Sequence, residues 1–140
     1  MTYEEWEMGV PIDIRSDSLW KMKAYRLGLF LSDLAWEDAG TLLAEPRARS
    51  TADQLYRAAS NISSNFSEGY SRGTGKGRAI FYEYALGSAR ETRDFYYKGR
   101  RAFSSDVVEH RIGLASTIIR LGLTMIDRER RTNRKISTPE

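Results

Sequence analysis

The chain has 140 residues, no cysteine and a formal net charge of +3. Its length suits one domain with a proper core, and the lack of cysteine excludes disulfides and thiolate metal sites and fits a reducing cytoplasm. The first residues carry acids where a secretory signal would carry bases, and no window reaches the roughly 20 apolar residues that a membrane span needs.

Charge is distributed unevenly along the chain. Residues 1–17 hold five acids and one base, which predicts an acidic arm. Residues 71–101 hold eight bases and three acids, and residues 110–135 hold seven bases and two acids. A polyanion is therefore expected to bind the second half of the chain.

Both ends of the chain are predicted to lie outside the helical domain. Residues 1–17 show no sustained hydrophobic period, and in this arm Trp6 and Met8 either pack on a neighbouring surface or stay free. The polar residues 132–140 are predicted to be a disordered tail. The domain itself is predicted to span residues 18–131.

The first long helix is predicted to begin at Asp17 or Ser18, either of which is a suitable N-cap, and to end near Ala39. Gly40 is then the predicted C-cap. Apolar residues occupy most of the helix circumference, so the helix should be buried on more than one side. The connection after it contains Pro46, which a helix interior would reject.

The second helix is predicted from Ser50 or Thr51 to Glu68, with Gly69 ending it. Four apolar residues recur at steps of four, three and four, and therefore share one face: Leu55, Ala59, Ile62 and Phe66. The rest of the helix is rich in alanine and serine, which would let a neighbouring helix approach closely.

The third helix is predicted to begin between Lys76 and Ala79 and to continue to about Ala102. The fourth is predicted to begin after a cap at Ser104 or Ser105. The third carries a heptad-like seam formed by Tyr82, Ala85, Ala89, Thr92, Tyr96 and Phe103. The fourth carries two apolar stripes, the second consisting of Val107, Leu114, Ile118, Leu121 and Met125. One core needs only one stripe, so we expect the second to be exposed unless the chain self-associates.

Four long helices with short connections predict an all-α fold, an antiparallel up-and-down four-helix bundle. In such a bundle the end of the second helix and the end of the fourth lie at the same pole. The residues predicted to contact nucleic acid lie there: Arg72, Lys76, Arg78, Arg128, Arg130 and Arg131. Arg100 and Arg101 are predicted to lie at the opposite pole.

The sequence does not support an enzyme. The glycine-rich turn after the second helix is not a Walker A loop, because Tyr70 stands where that loop needs its first glycine and Gly77 where it needs a hydroxyl. A di-iron bundle needs two Glu-x-x-His pairs, whereas this chain has a single histidine, His110. A serine hydrolase needs a base beside its nucleophile, and no G-x-S-x-G motif is present. We therefore expect no catalytic residue, metal or cofactor.

Aromatic residues lie among the bases of the third helix, in residues 81–85 and 94–101. Two interpretations remain open. Such residues can stack on the bases of single-stranded nucleic acid, or they can belong to the core or to a subunit interface.

Two motifs indicate a family. Ten residues follow the pattern Q-L-x-R-A-A-x-S-I-x-x-N-I-A-E-G-x-x-R: Gln54, Leu55, Arg57, Ala58, Ala59, Ile62, Asn65, Glu68, Gly69 and Arg72. Four follow x-x-A-x-G-S-x-x-E: Ala85, Gly87, Ser88 and Glu91. The chain departs from the first pattern mildly, at Asn61 and at residues 66–67. These motifs resemble those of a small bacterial family of four-helix-bundle proteins encoded by intervening sequences of 23S rRNA genes, and the resemblance covers about residues 18–130.

The family includes proteins similar to the accessory variability determinant of diversity-generating retroelements, which form pentameric barrels and bind a reverse transcriptase and nucleic acid. The resemblance therefore implies a homo-oligomer, with a ring of five subunits, that binds RNA or DNA and has a reverse transcriptase as a partner. The motif residues Arg57, Asn65, Glu68 and Gly69 are expected to be structural. The alternative is a structural or protein-interaction scaffold that binds no nucleic acid.

Overall fold

The computed structural model describes residues 1–137, with side chains described as far as Arg131. The α-helices are α1 (Tyr3–Met8), α2 (Ile12–Arg15), α3 (Lys23–Leu43), α4 (Arg49–Tyr70), α5 (Gly75–Lys98) and α6 (Ser105–Ser137). Two 3₁₀ helices span Ser18–Lys21 and Arg100–Ala102. These described residues form no β-strand, and the predicted all-α class is confirmed.

Helices α3 to α6 form a four-helix bundle. Helices that follow each other in sequence pack together, and α3 also packs on α6, less extensively. Gly28, early in α3, approaches Ile62, late in α4, so closely that a Cβ on the glycine would lie 2.8 Å from the isoleucine. Arg78, early in α5, pairs with Glu129, late in α6, at 2.9 Å. Successive helices are therefore antiparallel.

The predicted apolar faces form the core of this bundle. All four residues of the α4 face are fully buried, each at 0% exposure: Leu55, Ala59, Ile62 and Phe66. The α5 seam is buried from Tyr82 to Tyr96, and Phe103 beyond it packs against the same core. Since burying a large apolar side chain contributes about 1.5–3 kcal/mol, these faces fix how the helices are oriented about their axes.

The predicted first helix is two elements in the structure. Asp17 is a cap, since its carboxylate accepts a hydrogen bond from the Leu19 amide at 2.9 Å, but it caps the first 3₁₀ helix. Met22 then takes an extended conformation, with φ of −79° and ψ of 105°, and α3 begins after it. The prediction of one continuous helix from residue 17 or 18 is wrong because this residue redirects the chain.

Two glycines that were predicted at helix ends lie inside helices. The helix α3 continues past Gly40 and thereby buries Leu42 completely. The helix α4 continues past Gly69, where a Cβ would lie 2.7 Å from the Tyr82 ring. Neither glycine has a positive φ. Gly69 therefore permits close helix packing and does not act as a left-handed cap.

The connection between α5 and α6 begins earlier than predicted. The helix α5 ends at Lys98, and Gly99 follows in a position where a Cβ would lie 2.9 Å from Leu42. The predicted cap of the fourth helix is confirmed, because the Ser104 hydroxyl accepts a hydrogen bond from the Val107 amide at 3.3 Å.

The N-terminal arm, residues 1–17, is partly helical and lies on α3. A reciprocal capping box between Thr2 and Glu5 begins α1, with both hydrogen bonds at 3.2 Å. Trp6 is 6% exposed and donates its indole N–H to Asp33 of α3 at 2.7 Å. Met8 is 82% exposed. Of the two residues that could pack, only Trp6 does.

The second stripe of α6 is not exposed, and that prediction is wrong. Ile118 is buried and the other four residues are half-buried. Leu114 packs against the cluster around Trp6, and Leu121 and Met125 pack against the main core, so the arm and α3 cover much of the stripe. Large apolar side chains are exposed elsewhere in the bundle, namely Trp36, Leu43, Tyr70, Ile80, Tyr84, Tyr97 and Leu123.

The end of α6 reaches into the predicted tail. The helix is described to Ser137 and so overlaps residues 132–140, which were predicted to be disordered. Side chains from residue 132 onward, and all of residues 138–140, lie outside what the structure describes. None of the helices in the described part of the chain combines the length and the apolar content of a membrane span.

Candidate nucleic-acid interface

The turn between α4 and α5 is compact. The Thr74 hydroxyl caps α5 by accepting a hydrogen bond from the Gly77 amide at 3.0 Å. A Cβ on Gly77 would lie 3.1 Å from that hydroxyl and 3.3 Å from Arg72, so the glycine lets the turn close tightly. Arg72, Lys76 and Arg78 are thereby held within about two helical turns.

The end of α6 lies beside this turn. Arg78 donates from Nε to Oε2 of Glu129 at 2.9 Å, with Nη2 also 2.9 Å from that oxygen, and this hydrogen bond raises the pKa of the guanidinium. The two predicted clusters, one in the turn and one at the end of α6, are therefore brought to one end of the bundle. We call it the basic end.

Most arginines at the basic end have carboxylate partners. Arg72 pairs with Glu68 at 2.6 Å and lies over the Phe81 ring, with its Cζ 4.5 Å from the centroid. Further pairs join Arg130 to Glu83 and Arg131 to Asp127. Arg128 lines a groove next to the Arg78–Glu129 pair. Sequence reasoning treated these arginines as available charges, whereas the fold supplies carboxylates to them.

Lysines supply the unpaired charge. Lys76 is exposed and makes no ion pair or hydrogen bond with any described side chain, and the same holds for Lys21 and Lys23. The last two flank the start of α3, and they line the same groove as Arg78 and Arg128. Sequence reasoning missed them, although an antiparallel bundle places the start of the first helix beside the end of the second.

Comparison with protein families gives a match. A family model described as 23S rRNA-intervening sequence protein matches residues 21–121. The chain belongs to this family. Comparison with curated proteins and with solved structures gives no match.

The match to the 23S rRNA-intervening sequence protein family covers part of the basic end. It begins at Lys21 and includes Lys23 and the whole turn before α5, and it stops at Leu121. The acidic arm and Arg128 lie outside the matched range. The family resemblance is thus confirmed, over a range shorter than the predicted 18–130.

The motif residues that were expected to be structural lie along α4. Asn65 donates its amide to the Asn61 carbonyl at 2.9 Å, and Glu68 pairs with Arg72 as described above. Arg57 pairs with Asp53 at 3.1 Å and not with either of those residues. Each of these contacts stays within one turn of α4 or reaches only Arg72, the second residue after its end.

The opposite end of the bundle is organised differently. Arg100 donates to the Tyr97 carbonyl at 3.0 Å and lies over that ring, 4.1 Å from its centroid. Nearby, buried Asp38 accepts hydrogen bonds from the Tyr96 hydroxyl at 2.6 Å and from Arg111 at 2.7 Å. This end therefore holds a buried polar network, while the basic end holds exposed cations around an open groove.

Proposed function

We propose that this chain is a non-enzymatic module that binds RNA or DNA through phosphate contacts at the basic end. The observation that carries the proposal is that Lys21, Lys23 and Lys76 lie at the same end of the bundle and lack carboxylate partners among the described residues. Clustered unpaired cations attract a polyanion and weaken its association with counterions. The family name, which refers to 23S rRNA, supports an RNA context.

The paired arginines can still contribute. An exposed ion pair contributes little to stability, and a phosphate can replace a carboxylate as a bidentate partner of arginine. The Arg72–Glu68 and Arg130–Glu83 pairs are about half exposed, so a phosphate can compete for them. The Arg78–Glu129 pair is more buried, with side chains 27% and 19% exposed, and we expect it to stay intact.

Salt dependence tests the proposal. If about six phosphates are neutralised, the log of the binding constant should fall with the log of the salt concentration with a slope of about −4 for single strands and about −5 for duplex. A slope near zero in a fluorescence-anisotropy titration would contradict phosphate binding.

Substitutions locate the interface. Changing Lys21, Lys23 and Lys76 together to Gln should weaken binding by about tenfold or more at low salt. The matched control changes Lys98, Arg100 and Arg101 to Gln, which removes three charges at the opposite end. Both variants should keep wild-type circular dichroism, because exposed charges contribute little to stability. Equal losses from both would place the binding along the whole flank.

Self-association is the second part of the proposal. The exposed Trp36 and Leu43 of α3 and Tyr84 of α5 give the bundle apolar surface that an assembly would cover, and the family resemblance suggests a ring of five. Light scattering should then give a multiple of the 16.0 kDa chain mass. A clean monomer at micromolar concentration would contradict it. Retention of an acidic protein after nuclease treatment, with no salt-dependent oligonucleotide binding, would favour the scaffold alternative.

A further inference from the structure

An open groove lies at the basic end, between the start of α3 and the end of α6. Its volume is about 750 Å³, within the range of about 300–1,000 Å³ that small-molecule sites occupy. Such a volume can hold a nucleobase together with its sugar. The groove forms where α3 and α6 pack less extensively than the other neighbouring helices.

The floor of the groove is apolar. Leu121 and Met125 of α6 line it, and both are half-buried. Tyr70 lines it from the last turn of α4 and is 39% exposed. Its hydroxyl donates to the Ser18 hydroxyl at 2.7 Å. A flat apolar ligand would thus find an aromatic ring and two flexible side chains.

The rim of the groove is positive. Lys21 and Lys23 stand on the α3 side and Arg128 on the α6 side. The carboxylate of Glu129 also lines the groove, but Arg78 neutralises it. An exposed flat base next to a phosphate backbone matches both the floor and the rim.

We propose that this groove binds an unpaired base of single-stranded nucleic acid, with the base against Tyr70, Leu121 and Met125 and the adjoining phosphates on Lys21 and Lys23. The inference rests on the proposed function and specifies that its ligand is single-stranded. Base stacking on an aromatic side chain inside a positive groove is the general way in which single strands are held. A duplex keeps its base faces in the stack, so it can use the rim but not the floor.

The test compares ligands and variants at one salt concentration. Wild-type protein is titrated with 20-nucleotide oligo-U, oligo-dT and a blunt 20-base-pair DNA duplex. Tyr70→Ala should weaken single-strand binding by about 5- to 150-fold, the loss of one stacked base, and leave duplex binding unchanged. The matched control Tyr70→Phe removes only the hydrogen bond to Ser18 and should keep the single-strand affinity.

A measurement on the unaltered protein covers the case in which Tyr70→Ala disturbs the fold. Oligo-U containing 4-thiouridine is cross-linked by light, and the attached peptides are identified by mass spectrometry. Cross-links to Tyr70 or to Leu121 and Met125 support the groove. Cross-links found only elsewhere overturn it.

The experiment distinguishes a failure of the groove inference from a failure of the proposed function. If duplex and single strand bind with equal affinity and Tyr70→Ala changes neither, the groove inference is overturned while phosphate binding stands. If no oligonucleotide binds, the proposed function is overturned together with the groove.

Discussion

Gly69 allows α4 and α5 to touch because it has no side chain. A Cβ there would lie 2.7 Å from the Tyr82 ring and 3.0 Å from Phe81 Cβ. Overpacking of this kind costs about 1–3 kcal/mol. We therefore expect Gly69→Ala to lower the free energy of unfolding by that amount, measured by urea denaturation.

The matched control is Gly87→Ala in α5. Gly87 is exposed, and no atom of a neighbouring element lies within 4 Å of its would-be Cβ. Alanine in an open helix interior should stabilise the fold by about 0.5–1 kcal/mol. If Gly69→Ala stabilised the protein as well, the close approach at that glycine would be refuted.

Asp38 joins three helices through buried hydrogen bonds. It is 7% exposed and accepts from Tyr96 and Arg111, whose side chain is 15% exposed. Asp38→Asn leaves this guanidinium without its counter-charge, and removing one partner of a buried pair costs about 3–5 kcal/mol. We expect a loss of that size in chemical denaturation.

The control for Asp38 is Asp53→Asn, which breaks the exposed pair with Arg57. An exposed pair within one helix contributes about 0.3–0.5 kcal/mol. Losses of equal size from the two substitutions would show that the buried network has no special role.

Some features of the basic end could be predicted from the sequence and others could not. The clustered arginines predicted the basic end, because a local excess of basic over acidic residues can be counted in the sequence. The pairs of Arg72 with Glu68 and of Arg131 with Asp127 are four residues apart and can be read from the sequence. The pairs of Arg78 with Glu129 and of Arg130 with Glu83 were not predictable, since they join two helices that meet only in the folded protein. Lys21 and Lys23 were missed because they lie outside residues 71–101 and 110–135, the two segments whose excess of basic residues predicted the binding surface.

Among the elements, the arm docks on α3 through a small apolar cluster in which Trp6 and Val10 are buried. Trp6 packs beside Trp20 and Phe30, with ring centroids 6.1 and 5.3 Å away, and also bonds to Asp33. Truncating a buried tryptophan costs about 3–5 kcal/mol when the site cannot collapse. We expect Trp6→Ala to release the arm, so that limited proteolysis removes residues 1–17 while the bundle stays helical.

Met8, in the same helix α1 as Trp6, provides the control. Met8→Ala changes a side chain that is 82% exposed and should leave the proteolysis pattern unchanged. Equal cleavage of both variants would mean that the arm is not anchored by the indole.

Helix faces were predictable from the sequence and helix ends were less so. The period of Leu55 to Phe66 fixes a face whatever the helix packs against. The ends of α3 and α4 depend on the packing of neighbouring helices: α3 continues past Gly40 and buries Leu42, and α4 continues past Gly69, which lies against the Tyr82 ring. The six-residue helix α1 is too short to show any period.

At the scale of the whole molecule, tyrosines set the alkaline limit of stability. Burial raises the pKa of Tyr3 and of Tyr82 to about 12, and it also raises the pKa of Tyr96. A phenol whose folded pKa exceeds its ordinary value of 10.0 stabilises the fold fully below pH 10. That stabilisation is lost as the pH rises towards 12, so the melting temperature should fall across this window.

Two variants test whether ionisation of buried tyrosines causes this loss of stability above pH 10. Tyr82→Phe cannot ionise and should make the fall in melting temperature above pH 10 shallower. Tyr84→Phe changes a tyrosine that is 56% exposed and should leave the profile as in the wild type. A wild-type melting temperature that stayed constant up to pH 12 would contradict the role of the buried phenols.

The order in which the helices pack also sets a timescale for folding. Each long helix packs on the next one along the chain, so most of the bundle closes through short loops. Chains dominated by such local contacts fold in microseconds to milliseconds. The hydrogen bonds of Asp38 span 58 and 73 residues. The entropic cost of closing such long loops is offset only when α3 packs on α5 and α6. We expect refolding to be fast, with the seam between α3 and α6, and hence the groove at the basic end, completed last.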